Sequence, residues 1–268
     1  MKHNTLKSSL EFHNISLRLN RVFKIHSRIK PLTERLQSKG GRSSGLIITP
    51  RRGDYSRRLY RYTDFRRTIL PSKRGIILKI LYDPNRTANL CLLCYPIGVF
   101  AYILQSAKLE KGDIVTNMTN DPSCYGDSTS LGTFLPGMLI HNLAGKFARS
   151  AGCSTIIVRK DHDQALLKLK SGELRFFHTS LIASLGAVGN EDHFLHNYKH
   201  AGTMRRLGVR PRTRPSSMNP VDHPLGGRTR GGAQPVNVKG ILTTNRRTVF
   251  RHHNAILYTK RQLKLMHQ

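Results

Sequence analysis

Short apolar runs separated by polar turns organise the first two thirds of the chain. Gly75–Tyr82 (GIILKILY), Leu90–Tyr95 (LCLLCY) and Val99–Leu104 (VFAYIL) read as strands, followed by a weaker one at Ile114–Met118. The link YDPNRTAN carries Asp83-Pro84-Asn85, a turn signal, and KLEKGD at Lys108–Asp113 is a second, charged turn. Short strands this closely spaced predict a small barrel. Asn120–Gly132 (NDPSCYGDSTSLG) is polar and rich in small residues, which predicts a linker and the domain boundary. A second set follows at Met138–Asn142, Cys153–Lys160, Gln164–Leu169 and Leu174–His178. Asp161-His162-Asp163 and Ser171-Gly172 supply its hairpin turns, so this too predicts a small barrel. Asn190 followed by Glu191 and Asp192 predicts a helix N-cap with acid in the first turn, the helix running to about His200.

The pattern then stops. Lys199–Gly227 (KHAGTMRRLGVRPRTRPSSMNPVDHPLGG) shows neither a helical stripe nor sustained alternation, and prolines and glycines break every candidate element. A structureless stretch of this length is uncommon in a compact domain unless it is functional or disordered. Arg205, Arg206, Arg210, Arg212 and Arg214 load it with positive charge against one acid, Asp222.

Charge extends that picture to the whole chain. Its 268 residues hold 45 Lys and Arg against 15 Asp and Glu, a net +30. An isolated globular protein so charged would repel itself, so a permanent polyanionic partner is implied, and nucleic-acid phosphate matches the guanidinium fork. After Asp222 no acid follows, but nine Lys or Arg do. The first 30 residues hold seven Lys or Arg and only Glu11, a composition resembling a mitochondrial transit peptide. Their presence after Met1 leads us to expect a retained basic arm, as in a protein made inside an organelle or a bacterium. Leu90–Leu104 is the longest apolar run, shorter than the roughly 20 residues a membrane helix needs and split by Pro96 and Gly98.

Gly40–Arg67 interleaves seven arginines from Arg51 onward with Tyr55, Tyr60, Tyr62 and Phe65. Cations beside aromatics suit RNA, which offers phosphates to one and bases to the other. The same alternation fits a strand that sends about half of these rings into a core. Cys91-Leu92-Leu93-Cys94 has zinc-knuckle spacing, but a structural zinc needs four ligands, and Cys124 and Cys153 stand alone. We read the pair as buried thiols and expect no metal and no cofactor. Asp222-His223 has the composition of an oriented general base, yet its neighbours are loop residues with no second acid or nucleophile set on an element. No P-loop or dinucleotide fingerprint is present.

Several motifs converge on one family: GGR before SGLIITPRR, YRYTDFRR, LYDPNRTAN, YIL with KLEKGD, IHN, ARSAG, LKLKSGELR, ASLGAVGN, and GVRP with MNPVDHPLGG. In this order, over roughly residues 40 to 240, the chain resembles the universal large-subunit ribosomal protein numbered two, in its bacterial and organellar form. The resemblance implies an OB-like barrel followed by an SH3-like barrel, a mainly β fold with long basic N- and C-terminal extensions. It also implies binding to large-subunit rRNA beside neighbouring ribosomal proteins, a C-terminal extension toward the peptidyl transferase region, and roles in subunit assembly, subunit association and tRNA accommodation. In the family the His matching His223 belongs to a functionally sensitive tip near catalytic RNA; we assign it RNA positioning, with Asp222 fixing its tautomer. Departures are RRGDYSRR ahead of YRYTDF, a shortened loop at LAGKF, Leu225 where the family has a second His, RTRGG after the glycines, and ILTTNRRTVF in the tail. They suggest a divergent, most simply mitochondrial, ribosome.

The expected divisions are 1–45 (basic arm), 46–125 (OB-like barrel), 126–200 (SH3-like barrel with a short helix) and 201–268 (basic tail). Expected rRNA contacts before the first barrel's core are Arg42, Arg51, Arg52, Arg57, Arg58, Arg61, Arg66 and Arg67. From the barrels come Arg86, Lys146, Arg149 and Arg175. The tail adds Arg205, Arg206, Arg210, Arg212, Arg214, Asn219, Asp222, His223, Gly226, Gly227, Arg228 and Arg230, the glycines for close backbone approach. We expect no small-molecule substrate, no membrane and no enzyme activity. The competing readings are an RNA-processing enzyme using Asp222-His223 and a free OB-type RNA-binding regulator.

Overall fold

The computed structural model describes residues 29–36, 41–47, 49–53, 55–68, 74–227, 233–244 and 256–258. Strands dominate: β1 (Thr33–Arg35), β2 (Arg42–Ser43), β3 (Leu46–Ile47), β4 (Leu59–Arg61), β5 (Arg74–Leu81), β6 (Leu90–Cys94), β7 (Phe100–Leu104), β8 (Ile114–Thr116), β9 (Ser128–Ser130), β10 (Leu139–His141), β11 (Thr155–Lys160), β12 (Gln164–Lys168), β13 (Leu174–His178), β14 (Ile182–Leu185) and β15 (Ile256–Tyr258). A six-residue helix, α1, spans Ala201–Arg206.

The first sheet runs β7-β6-β5-β8, antiparallel throughout. Its central strand explains the unbroken apolar run LCLLC. Every β6 residue is buried, and successive side chains enter different clusters: Cys91 and Leu93 join Ile77, Ala101 and Ile103, while Leu90 and Leu92 join Leu81, Tyr102 and Leu104. With both faces covered, no polar alternation survives. A register shift between Ile77 and Lys79 bends β5 opposite β6. Thr63 bridges Tyr102 in parallel, so the segment after β4 lies beside β7 and the curled sheet takes an OB-like form.

The second sheet orders its strands β15-β13-β12-β11-β10-β14-β9, again antiparallel. It curls around Leu131, Phe134, Ile140, Leu143, Ile157, Leu167, Phe177 and Ala183, an SH3-like arrangement. Phe147 closes this core edge-on against Phe177, ring centroids 5.2 Å apart. On β11 burial alternates: Thr155 and Ile157 are buried while Ile156 and Val158 face outward.

Three expectations need correction. The linker read at Asn120–Gly132 contains β9, whose Ser128 and Thr129 are buried, as is Asp127. Asn190 does not cap a helix with its side chain. It is left-handed (φ 63°), its Nδ2 donates to Thr87 O at 2.7 Å, and only a short 3-10 turn, Glu191–Leu195, follows. The stretch Lys199–Gly227 is not without regular structure, since it contains α1.

The described residues divide into two compact units. Those of 1–36, 58–197 and 254–268, with both sheets, form one; those of 37–57 and 198–253 form the other.

Candidate nucleic-acid interface

Within the first unit the two sheets meet along a polar seam, and it places one expected contact residue in the interior. Arg67 is buried: Nε donates to Asn117 Oδ1 at 2.9 Å and Nη1 to Gly126 O at 3.2 Å. Asn117 Nδ2 in turn donates to Tyr95 OH at 2.7 Å. Burial lowers the Arg67 pKa, although Tyr95, Asp64 and Asp127 oppose the shift. Arg67 therefore joins the sheets and is withdrawn from the RNA-facing set. Nearby, His141 Nε2 lies 3.1 Å from Ser106 Oγ and Nδ1 lies 3.0 Å from Gly186 O. A carbonyl only accepts, so Nδ1 carries the proton and Nε2 accepts from the serine. Burial pushes the His141 pKa down to about 4. Ala107 N donates to Ala187 O and Gly189 N to Gln105 O, extending this junction through the backbone.

Beside the seam, Asp83 is fully buried and gathers Arg86 Nε at 2.6 Å and, more loosely, Arg61 Nη1 at 3.5 Å. Asn85 N–H donates to the same carboxylate at 3.1 Å, which shapes the turn read from Asp-Pro-Asn. Arg58 Nη1 donates to Pro84 O. Arg86 and Arg149 both stack on Phe65, 5.4 and 4.6 Å from its centroid. Arg86 is tied to Asp83, whereas Arg149 is exposed and its fork has no carboxylate partner among the described residues. Arg175 lies over Phe147 at 5.7 Å. Lys146 is exposed on the loop after β10, and Arg66 is exposed beyond Phe65. Of the four aromatics in this region, Tyr62 is exposed and hydrogen-bonded to Glu34; Tyr55, Tyr60 and Phe65 are half-buried.

In the second unit two segments distant in sequence zip together. Gly53 N donates to Gly208 O, Ser56 N to Arg206 O and Arg210 N to Arg51 O, and Arg52 bridges Val209. Gly208, at φ +84°, ends α1, and a side chain there would press on Tyr55 and on Gly53 O. Arg51, Arg52, Arg57, Arg205, Arg206, Arg210, Arg212 and Arg214 are all exposed in this unit. Arg51, Arg52, Arg57, Arg205, Arg210, Arg212 and Arg214 have no carboxylate partner among the described residues. Arg42 lies on β2 with its side chain outside the described set; Arg228 and Arg230 lie outside it entirely, as do residues 1–28.

The MNPVDHPLGG stretch closes on itself. Gly227 N donates to Met218 O at 2.9 Å, Asp222 N to Asn219 O at 3.0 Å and Gly226 N to His223 O at 2.8 Å. A Cβ on Gly226 would lie 2.3 Å from Asn219 O, so the glycine is required by the loop's own packing. Gly227 (φ +70°) faces Pro220 in the same way. His223 is buried, and its Nδ1 accepts from Leu225 N–H at 3.1 Å. The tautomer is thus set by Leu225, not by Asp222, which is exposed. Asn219 is exposed on the same loop.

The paired cysteines are core residues: Cys91 and Cys94 are buried, and burial pushes the Cys91 thiol up to about 12, far from a metal-binding thiolate at neutral pH. Sequence reasoning missed the joining of residues 51–56 to 206–210, and it missed Lys108, which lies 5.2 Å from the Tyr125 centroid. Neither leaves a local signal.

Comparison with known proteins adds an independent line. Residues 29–117 match the family described as Ribosomal Proteins L2, RNA binding N-terminal domain, and residues 125–244 match Ribosomal Proteins L2, C-terminal domain. A Bartonella tribocorum protein named large ribosomal subunit protein uL2 is 42% identical over 233 residues, 82% of this chain and 83% of the relative. Proteins of the same name from Sinorhizobium fredii (42% over 231 residues; 82% and 83%) and Rhodopseudomonas palustris strain TIE-1 (41% over 232; 82% of each) are similar to it.

Proposed function

The chain belongs to the ribosomal protein L2 family, and from that premise we propose that its unpaired arginines are the surfaces on which it holds large-subunit rRNA. It is a structural constituent of the large ribosomal subunit, an rRNA-binding protein that works among neighbouring ribosomal proteins in translation. The observation that carries the surface assignment is the charge arrangement. Arg51, Arg52, Arg57, Arg205, Arg210, Arg212 and Arg214 are exposed with no carboxylate partner among the described residues. Their counter-charge comes from phosphate, and a planar fork binds it bidentately where lysine offers a point charge.

The division into basic arm, two barrels and basic tail is part of the same proposal, as are the roles in subunit assembly, subunit association and support of the peptidyl transferase region. The reading is non-catalytic. It is supported by the His223 imidazole being buried with Nδ1 occupied by Leu225 N–H, which leaves no Asp-His pairing to orient a base. A mitochondrial ribosome is our preferred setting, supported by the acid-poor first 30 residues and the departures from the bacterial motifs; a bacterial ribosome fits the same fold. The test is cosedimentation of the full chain with large subunits through a high-salt wash, against a variant carrying Arg212→Ala and Arg214→Ala. Retention of the parent and depletion of the variant is expected. Equal loss of both would overturn the reading, and turnover of RNA by the purified chain, abolished in His223→Ala, would replace it with an enzyme.

A further inference from the structure

The loop after β10 is held in a costly shape. Asn142, Ala144 and Ala148 all have positive φ (52°, 51° and 50°), as does Gly145 at 65°. Alanine gains no local hydrogen bond from this conformation, so the surroundings must impose it. They do so through Asn142 N donating to Ala148 O, Leu143 N to Phe147 O and Lys146 N to Leu143 O, and through Asn142 Nδ2 bonded to Phe65 O. Lys146 is exposed in this loop and Arg149 follows it, its guanidinium fixed on Phe65. Across from them the β12–β13 turn brings up Lys170 and Ser171. Together with Ser150 and Thr155 these residues line one concavity that no carboxylate enters. Thr155 is buried, and its hydroxyl has no hydrogen-bond partner in the protein.

Three cations, two serine hydroxyls and an unpartnered buried threonine hydroxyl form a set that an oxyanion satisfies. We propose that this concavity is a phosphate site, and that the phosphate belongs to an RNA strand. The second clause has its own support. Lys146 also lines the adjoining concavity, which holds Arg66 and one carboxylate, Asp64, so the two hollows share a cationic wall and form a track. Free phosphate would need only one. The inference rests on the rRNA-binding reading and deepens it, because Lys170, Ser171 and Thr155 stand outside the rRNA contacts expected from the sequence.

Cys153, half-buried, lines the same concavity and reports on it, while Cys124, exposed elsewhere, serves as the internal reference. The experiment measures alkylation of both thiols in the full chain, alone, with a large-subunit rRNA fragment, and with inorganic phosphate at the same phosphate concentration. RNA should slow Cys153 several-fold and leave Cys124 unchanged, and inorganic phosphate should do much less. Lys170→Ala should remove most of that protection and lower the salt slope of RNA binding by about one, the share of a single phosphate contact, with the melting temperature unmoved. RNA that binds with full salt dependence while Cys153 reacts at its free rate overturns the site and leaves the rRNA reading intact. Equal protection by inorganic phosphate overturns the strand assignment. Failure of the chain to bind rRNA at all defeats the underlying reading instead.

Discussion

At the residue scale, the same side-chain type does opposite work depending on what surrounds it. Arg67 is buried and spans Asn117 and Gly126, so Arg67→Ala strands two acceptors between the sheets. We expect a loss of about 2–4 kcal/mol in denaturant unfolding with little change in the salt slope of RNA binding. Arg212→Ala with Arg214→Ala should do the reverse. His141 gives a pH prediction. Its folded pKa, about 4, lies below the ordinary 6.5, so the unfolded chain binds the extra proton first. Stability from this group is complete above about pH 6.5 and falls as pH drops toward 4, by on the order of 3 kcal/mol. Burial raises the Asp127 pKa and acts in the opposite direction, so the His141 contribution is read as the difference between the parent and His141→Gln. A variant that keeps the parent's acid slope contradicts the assignment. Gly226→Ala should open the 218–227 loop, seen as lost hydrogen-exchange protection at Gly227 N–H, while the barrels keep their melting temperature.

At the element scale, the strands answer to what covers each face. Leu93→Ala in β6 should cost about 3 kcal/mol, since the side chain is fully buried in a packed cluster. Val158→Ala on the outer face of β11 should cost less than about 0.5 kcal/mol. Equal effects would contradict the burial pattern. The long apolar or alternating runs at β5, β6, β7, β11, β12 and β13 were legible in sequence because each presents its own period or continuity. β9 was not, because Ser128, Thr129 and Ser130 are polar and become a strand only by pairing with Ser184, Ala183 and Ile182. α1 lacked a side-chain cap and an apolar stripe, and it is fixed at its far end by Gly208 against Tyr55. The exposed arginines of the candidate site were legible as charge. What hid Arg67 among them was a partner fifty residues away.

At the scale of the whole molecule, a net charge of +30 dominates, and ion pairs among the described residues engage Arg61, Arg86 and Arg159. The remaining cations make phosphate part of the protein's environment, with association driven by counterion release. The most direct measurement of this is the affinity of the full chain for a large-subunit rRNA fragment across a salt series. The account predicts a steep linear fall, about 0.9 log units per decade of salt for each duplex phosphate contacted, flattened by about 3.6 when Arg205, Arg210, Arg212 and Arg214 are replaced by alanine. A shallow dependence, or a slope that the four replacements leave unchanged, would contradict it.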